Sequence, residues 1–170
     1  MKRAIFLDRD GTLIENGEGY RHKKEDLRFL PGVVEGLRDL ESKYLLFIIT
    51  NQSGIARGYY TEKEFFVYNN ELLRQLGQAN INIIETYFCP HHPNSLCQCR
   101  KPNPFFILEA AKKYSLDLSE SWMIGDAYSD IEAANAAGVK GILIADQKSN
   151  LRVATVKDFS SAVAIINSYE

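Results

Sequence analysis

Cysteine is scarce in this chain, and the few cysteines that occur are clustered. There are three among 170 residues, and an odd number does not suit a framework of disulfide bonds. All of them fall between positions 89 and 99. A short window that holds every cysteine indicates metal binding in a reducing compartment, so we expect a cytoplasmic protein.

Long apolar runs and an excess of charge are also missing. No apolar run approaches the roughly 20 residues that span a bilayer, and the apolar stretch after Met1-Lys2-Arg3 is too short for a secretory signal. The formal net charge of −2 provides no basic surface for nucleic acid or an anionic membrane. The glycine motifs of nucleotide-binding loops are absent as well. We therefore expect neither a membrane nor a nucleic acid as partner.

What the chain does contain is an ordinary globular composition and a regular alternation of elements. Its length, with 45% hydrophobic and 25% charged residues, predicts one domain over 1–170 with a substantial core. Short apolar runs without strict alternation predict strands buried on both faces. Amphipathic helical patterns lie between them, which predicts an α/β fold with a doubly wound, Rossmann-like parallel sheet. The predicted strands are 4–7, 45–49, 83–88, 122–124 and 141–144.

Three helix starts carry recognisable signals. Thr61 with Glu64 forms a capping box, and Asn103 before a proline reads as an N-cap. Ser129 with Glu132 reads as a second capping box.

Polar residues follow the predicted strands at the edge where parallel sheets bind ligands. Asp8 and Asp10 follow the first strand, Thr50 the second, Cys89 the third and Asp126 the fourth. We expect these groups to meet at one site, with residues 11–30 forming a loop or small flap over it.

Asp8 and Asp10 are the strongest candidates for chemistry. If the strand remains extended, their carboxylates point the same way, and two like charges so close favour a Mg²⁺ site. Asp8 would then act as a nucleophile, and Asp10 would protonate a leaving group and later deprotonate water. The alternative is an exposed turn or a helix cap. Asp126 after Gly125 suggests a further metal ligand.

Cys89, His91, Cys97 and Cys99 form the second candidate metal site. In extended backbone, side chains two residues apart project to one side. Cys89 with His91 and Cys97 with Cys99 therefore form two pairs, which together provide four ligands. That donor set is typical of closed structural zinc, which would stabilise a loop over 89–101. The alternative is buried free cysteines. His92 points the other way, and His22 has no evident partner.

Together these motifs resemble the haloacid dehalogenase superfamily of phosphatases. The matching motifs are, in order, Asp8-Arg9-Asp10-Gly11-Thr12, Thr50-Asn51, Lys101, and Gly125-Asp126 with Asp130. The loop from Cys89 to Pro102 is more specific and resembles two groups, the heptose bisphosphate phosphatases and the histidinol-phosphate phosphatases. The stretch from Thr50 to Tyr59 and the pair Gly19-Tyr20 favour the first group. The short spacer between His91 and Cys97 favours the second.

The resemblance implies a mechanism and a site. Mg²⁺ is held by the Asp8 carboxylate, the Asp10 carbonyl and Asp126, with Asp130 behind them, and Asp8 becomes phosphorylated. Thr50 and Lys101 hold the phosphoryl oxygens. Substrate is bound by Asn51, Gln52, Ser53, Arg57 and Arg100. The implied protein is a monomeric phosphatase without a large cap domain, acting on the C7 phosphate of a heptose bisphosphate. A catalytically silent, zinc-stabilised binding module is the alternative from another class.

Overall fold

The computed structural model describes residues 1–17, 22–146 and 153–169. Among these residues six strands form one parallel sheet with the order β3-β2-β1-β4-β5-β6. The strands are β1 Ala4–Leu7, β2 Leu45–Asn51, β3 Ile83–Cys89, β4 Trp122–Gly125, β5 Lys140–Ile144 and β6 Ala154–Val156.

Helices connect the strands and cover the sheet. They are α1 Val33–Glu41, α2 Glu62–Gln78, α3 Phe105–Tyr114, α4 Tyr128–Ala137 and α5 Phe159–Ser168, with a short 3-10 helix at Lys24–Asp26. Within the described ranges, no helix is long and apolar enough to cross a membrane.

Alternate residues of β1 show that both faces of the sheet are covered. Ile5 and Leu7 belong to a core cluster with residues of α1, α2 and α5. Ala4 and Phe6 belong to a second cluster with residues of α3 and α4. All four side chains are fully buried, which explains why the strand is apolar at every position. The predicted doubly wound fold is confirmed, and the described residues contain no large cap domain.

The sheet differs from the sequence prediction mainly at its ends. β6 was not predicted, because three residues with intermediate burial make a weak apolar signal. β2 extends through Asn51 and β3 through Cys89. Thr50 is therefore the penultimate residue of β2, and Cys89 is the last residue of β3. Both polar residues belong to their strands rather than follow them.

Two of the three predicted helix starts need correction. The capping box of Thr61 and Glu64 is present, with both reciprocal hydrogen bonds. The N-cap of α3 is Pro104, one residue later than predicted. Helix α4 begins at Tyr128, so the box of Ser129 and Glu132 is wrong. Instead the Asp130 carboxylate accepts a hydrogen bond from the Ala127 N–H at 3.1 Å, because this acid is three residues beyond the true cap.

Candidate active site

A cavity of about 470 Å³ opens at the carboxyl ends of the central strands. The predicted polar groups of the first two strands, Asp8, Asp10 and Thr50, meet there with the first residues of the loop after β1. Asp126 and Cys89, which were expected at the same site, do not belong to the described lining. The lining of the cavity is Asp8, Arg9, Asp10, Glu15, Asn16, Gly17, Thr50, Asn51, Gln52, Tyr60, Arg100, Lys101, Ala127, Ser129 and Asp130. The predicted flap is thus present at residues 15–17, while Gly19 and Tyr20 lie outside the described residues.

Three carboxylates form the base of the site. One oxygen from each of Asp8, Asp126 and Asp130 lies within 4.8 Å of the others. Asp8 is carried by the end of β1, whose backbone continues to pair with β4 through a hydrogen bond from the Asp8 N–H to the Ile124 carbonyl at 3.0 Å. The other two acids follow β4 and begin α4.

Lys101 lies inside this acidic cluster and is almost fully buried, with 4% of its surface exposed. Its ammonium contacts Asp8 Oδ1, Asp130 Oδ1 and the Ile49 carbonyl oxygen, each at 2.6 Å. The contacts with Asp8 and with the Ile49 carbonyl are hydrogen bonds, and the contact with Asp130 is an ion pair. Burial alone would lower the pKa of Lys101, but Asp8 and Asp130 outweigh it and raise that pKa. The lysine is therefore a fixed cation in the site.

Asp130 is fully engaged by the protein itself. One of its oxygens pairs with Lys101 and the other accepts from Ala127. Its carboxylate also packs against Gly125, where a Cβ would come within 2.2 Å of Asp130 Oδ2. The structure thus places Asp130 against Lys101 and the first turn of α4.

Asp8 and Asp126 complete the carboxylate cluster. Burial, together with the charges of neighbouring acids, raises the pKa of Asp8 well above its ordinary value, despite Lys101. Burial and Asp130 likewise raise the pKa of Asp126. Three carboxylates share one lysine, so negative charge is in excess. Hard oxygen ligands with unbalanced charge are what Mg²⁺ prefers, and the residues present therefore fit this ion.

Asp10 does not belong to the carboxylate cluster. The carboxylates of Asp8 and Asp10, which were expected to point the same way, therefore do not meet in one cluster. The Asp10 carboxylate instead accepts hydrogen bonds from Arg9 Nε at 3.0 Å and from Gln52 Nε2 at 2.8 Å. Asp8 and Asp10 therefore line one cavity but have separate partners.

Asn51 uses its amide on the protein rather than on the cavity. Its Nδ2 donates to the Lys101 carbonyl at 3.1 Å, and its Oδ1 accepts from the Lys101 N–H at 3.1 Å. The two hydrogen bonds hold the backbone of Lys101 from both sides. Asn51 was predicted to bind substrate, but its contacts make it a positioning residue for Lys101.

The other predicted substrate-binding residues divide into three cases. Gln52 lines the cavity, but its amide is bound to protein groups. Ser53 is buried and Arg57 is exposed, and neither belongs to the described lining of the cavity. Arg100 lines the cavity, and its Nη1 is buried with no hydrogen-bond partner among the described residues.

The second predicted metal site is assembled at the end of β3. Ligand atoms of Cys89, His91, Cys97 and Cys99 lie within 4.8 Å of one another. His91 Nδ1 is 3.4 Å from the Cys89 sulfur and 3.3 Å from that of Cys99, and the sulfurs of Cys89 and Cys97 are 3.6 Å apart. Tetrahedral zinc requires edges of about 3.6 Å between nitrogen and sulfur and about 3.8 Å between sulfurs. The four donors therefore fit zinc.

The remaining histidines lie outside this cluster. The His92 ring accepts from the Asn94 N–H at 3.2 Å and so stabilises the turn of the zinc loop. The His22 ring stacks on Tyr60 with the ring centroids 5.4 Å apart.

Sequence reasoning missed two residues of the site. Arg9 is 2% exposed and lies with its guanidinium over the rings of Phe65 and Tyr68, at 5.2 and 5.1 Å. Alternation along a strand predicts that the side chains of Arg9 and Asp10 point to opposite faces. No sequence signal indicates that the Arg9 guanidinium contacts the Asp10 carboxylate. Tyr60 also lines the cavity, and none of the sequence motifs includes it.

The chain is similar to known phosphatases over nearly its whole length. A family model described as HAD-hydrolase-like matches residues 98–165. The D-glycero-beta-D-manno-heptose-1,7-bisphosphate 7-phosphatase of Helicobacter pylori is 43% identical over 169 residues, covering 96% of this chain and 97% of the relative. The protein of that name from Photorhabdus laumondii is 36% identical over 178 residues, covering 94% of each.

A solved structure agrees with these relatives. The D,D-heptose 1,7-bisphosphate phosphatase of B. bronchiseptica, complexed with magnesium and phosphate, superposes with a TM-score of 0.88. It is 26% identical, and the match covers 100% of both chains.

Proposed function

The chain belongs to the haloacid dehalogenase superfamily of phosphatases, and on that premise we propose that it removes the C7 phosphate of D-glycero-D-manno-heptose 1,7-bisphosphate. The observation that carries the proposal is the similarity to the Helicobacter pylori enzyme, which is named for this reaction. The similarity extends over 96% of this chain. The four catalytic motifs of the superfamily converge on one cavity, which supports an active enzyme over a silent binding module.

Asp8 acts as the nucleophile. Its carboxylate attacks phosphorus, the bond from phosphorus to the C7 oxygen breaks, and an aspartyl phosphate forms. Asp10 donates a proton to the departing oxygen. It then accepts a proton from the water that attacks the aspartyl phosphate, and inorganic phosphate leaves. Asp10 suits both steps because it lines the cavity outside the crowded carboxylate cluster.

Lys101 and Thr50 stabilise the charge that develops on the phosphoryl oxygens. Lys101 already lies beside Asp8, and Thr50 lines the same cavity. Asp8, Asp126 and the Asp10 carbonyl would hold Mg²⁺, which supplies charge neutralisation for the phosphoryl group. Cys89, His91, Cys97 and Cys99 would hold a structural zinc that fixes the loop leading to Lys101.

Arg100 binds the phosphate that does not react. Its unpartnered buried Nη1 and its place in the cavity lining make it a cation available for a second anion. A guanidinium is well suited to phosphate because it donates from a planar fork. This proposal favours a bisphosphate substrate over a monophosphate. The reaction takes place in the cytoplasm, and the enzyme acts as a monomer.

The test is a comparison of kcat/KM on heptose 1,7-bisphosphate and on histidinol phosphate, with ³¹P NMR to identify which phosphate is lost. We expect a clear preference for the bisphosphate, loss of its C7 phosphate, and no turnover after removal of Mg²⁺. Arg100→Ala should raise KM for the bisphosphate about 10-fold or more, with little effect on a simple aryl phosphate. A preference for histidinol phosphate would replace the proposal with the second group that the short spacer favours.

A further inference from the structure

A chain of buried hydrogen bonds connects Tyr60 to two catalytic candidates through one amide. The Tyr60 hydroxyl donates to Gln52 Oε1 at 2.5 Å. Gln52 Nε2 in turn donates to Asp10 Oδ2 at 2.8 Å and to Thr50 Oγ1 at 2.8 Å. Gln52 is 3% exposed and Tyr60 is 5% exposed, so water does not replace these partners easily.

The three partners of the Gln52 side chain engage both hydrogens and the oxygen of its amide. A primary amide has two N–H hydrogens and one carbonyl oxygen. Both hydrogens are directed at oxygen atoms of the catalytic candidates, and the oxygen accepts from Tyr60. Rotation of the amide by 180° would place Oε1 against the Asp10 carboxylate and leave the Tyr60 hydroxyl facing an N–H group. The Asp10 carboxylate, which can only accept, therefore selects one of the two amide orientations, and the Tyr60 hydroxyl holds that orientation by donating to Oε1.

That orientation determines what Thr50 and Asp10 can do. Because Thr50 Oγ1 accepts from Gln52, its own hydrogen remains to donate toward the cavity, where phosphoryl oxygens would lie. Asp10 Oδ2 accepts from Gln52 and from Arg9 Nε. Asp10 Oδ1 accepts one longer hydrogen bond, from Arg9 Nη2 at 3.2 Å. Because Oδ2 is engaged by two donors and Oδ1 by one, the transferable proton belongs on Oδ1. Arg9, held over two aromatic rings, fixes Asp10 from the other side.

We propose that Tyr60 and Gln52 are positioning residues that orient the Asp10 carboxyl group and the Thr50 hydroxyl for phosphoryl transfer. Neither residue contacts the reacting atoms in this assignment. The proposal rests on the proposed phosphatase reaction but is independent of which sugar phosphate is the substrate.

Steady-state kinetics of Tyr60→Phe test this directly, with Tyr59→Phe as the matched control. Tyr59 is the adjacent tyrosine and is 55% exposed. For the heptose bisphosphate we expect Tyr60→Phe to lower kcat about 10-fold with KM changed less than twofold, because an interaction needed in the transition state is weakened. Tyr59→Phe should match the wild type. A wild-type kcat in Tyr60→Phe overturns the proposal.

A double-mutant cycle separates a shared pathway from independent structural damage. If Tyr60 acts through Gln52, then Tyr60→Phe should have no further effect on kcat in the Gln52→Ala background. Additive losses would contradict the proposal. Thermal unfolding of each variant identifies any that fail to fold, and for those Gln52→Leu, which keeps the side-chain volume, repeats the cycle.

Leaving-group dependence supplies a readout that simple loss of packing would not move. Asp10 must protonate a sugar alkoxide, but an aryl phosphate such as p-nitrophenyl phosphate loses a stable phenolate. We expect kcat/KM of Tyr60→Phe to fall about 10-fold on the sugar phosphate and less than threefold on the aryl phosphate. Equal losses on both would contradict action through Asp10. If the wild type hydrolyses a different sugar phosphate and not the heptose bisphosphate, the proposed function is wrong. The role of Tyr60 is then tested by the same comparison between that sugar phosphate and the aryl phosphate.

Discussion

The two candidate metal sites of this protein are built in opposite ways. In the carboxylate cluster, Asp8 follows β1, Asp126 follows β4 and Asp130 lies in α4. A buried lysine already balances part of its charge. The cluster of cysteines and histidine lies at the end of β3, its donors span 11 residues from Cys89 to Cys99, and three of the four lie in the loop that follows β3. The first is held by the fold and remains open to a cavity. The second is a complete ligand set that holds the loop.

We therefore expect the fold to remain stable when the carboxylate site lacks its metal. We expect the fold to lose stability when the site of Cys89, His91, Cys97 and Cys99 lacks its metal. The acids at the sheet edge retain Lys101 as a partner without any ion. The zinc donors have no comparable cation among the described residues, and a structural zinc contributes directly to folding.

The largest expected effect is the loss of turnover in Asp8→Asn. The amide is a poor nucleophile, so kcat should fall on the order of 10³-fold or more, because no other group replaces a removed nucleophile. Phosphate release checks the rate, and thermal unfolding and zinc content should change little. Asp39→Asn, an exposed position on α1, is the control and should keep full activity. Unchanged phosphate release in Asp8→Asn would contradict the assignment.

The next effect is the coupled loss of stability and activity in Cys97→Ser. Removal of one zinc ligand should lower Tm by roughly 5–10 °C, the shift expected for a loss of a few kcal/mol in a domain of this size. Activity should fall with it, because the loop carries Lys101. Calorimetry, zinc analysis and turnover are measured together. Leu96→Ser, at a neighbouring and fully exposed side chain, should change none of them. Zinc at unit stoichiometry with an unchanged Tm in Cys97→Ser would count against a structural zinc.

The smallest expected change in activity is that of Asn51→Ala, at a residue that connects the end of β2 to Lys101. This change removes both hydrogen bonds to the Lys101 backbone and should cost about 1–3 kcal/mol of stability. We expect kcat to fall about 10- to 100-fold through displacement of Lys101, with KM nearly unchanged. Urea unfolding and steady-state kinetics check both. Asn103→Ala, which removes one long hydrogen bond at 3.4 Å to Cys97, is the matched control. A raised KM with normal kcat would return Asn51 to the role of substrate ligand.

Asn51 and Gln52 show where prediction from sequence stopped. Asn51 ends β2, Gln52 follows it, and both line the cavity. Their amides were assigned to substrate, but they bind Lys101 and Asp10 instead. An amide donates equally well to a phosphate or to the protein, so the residue type could not distinguish these partners. Tyr60 gave no signal at all, because a tyrosine beside another tyrosine is equally compatible with core and surface.

The sequence by itself determined the parallel α/β architecture and the grouping of Cys89, His91, Cys97 and Cys99, because apolar periodicity and ligand spacing are local properties of the chain. Only the tertiary structure decided which partners these groups have. Lys101 meets Asp8 across 93 residues, Asn51 meets Lys101 across 50, and Gln52 meets Asp10 across 42. Strand order sets those encounters, and side-chain packing at the shared sheet edge sets which hydrogen bonds form.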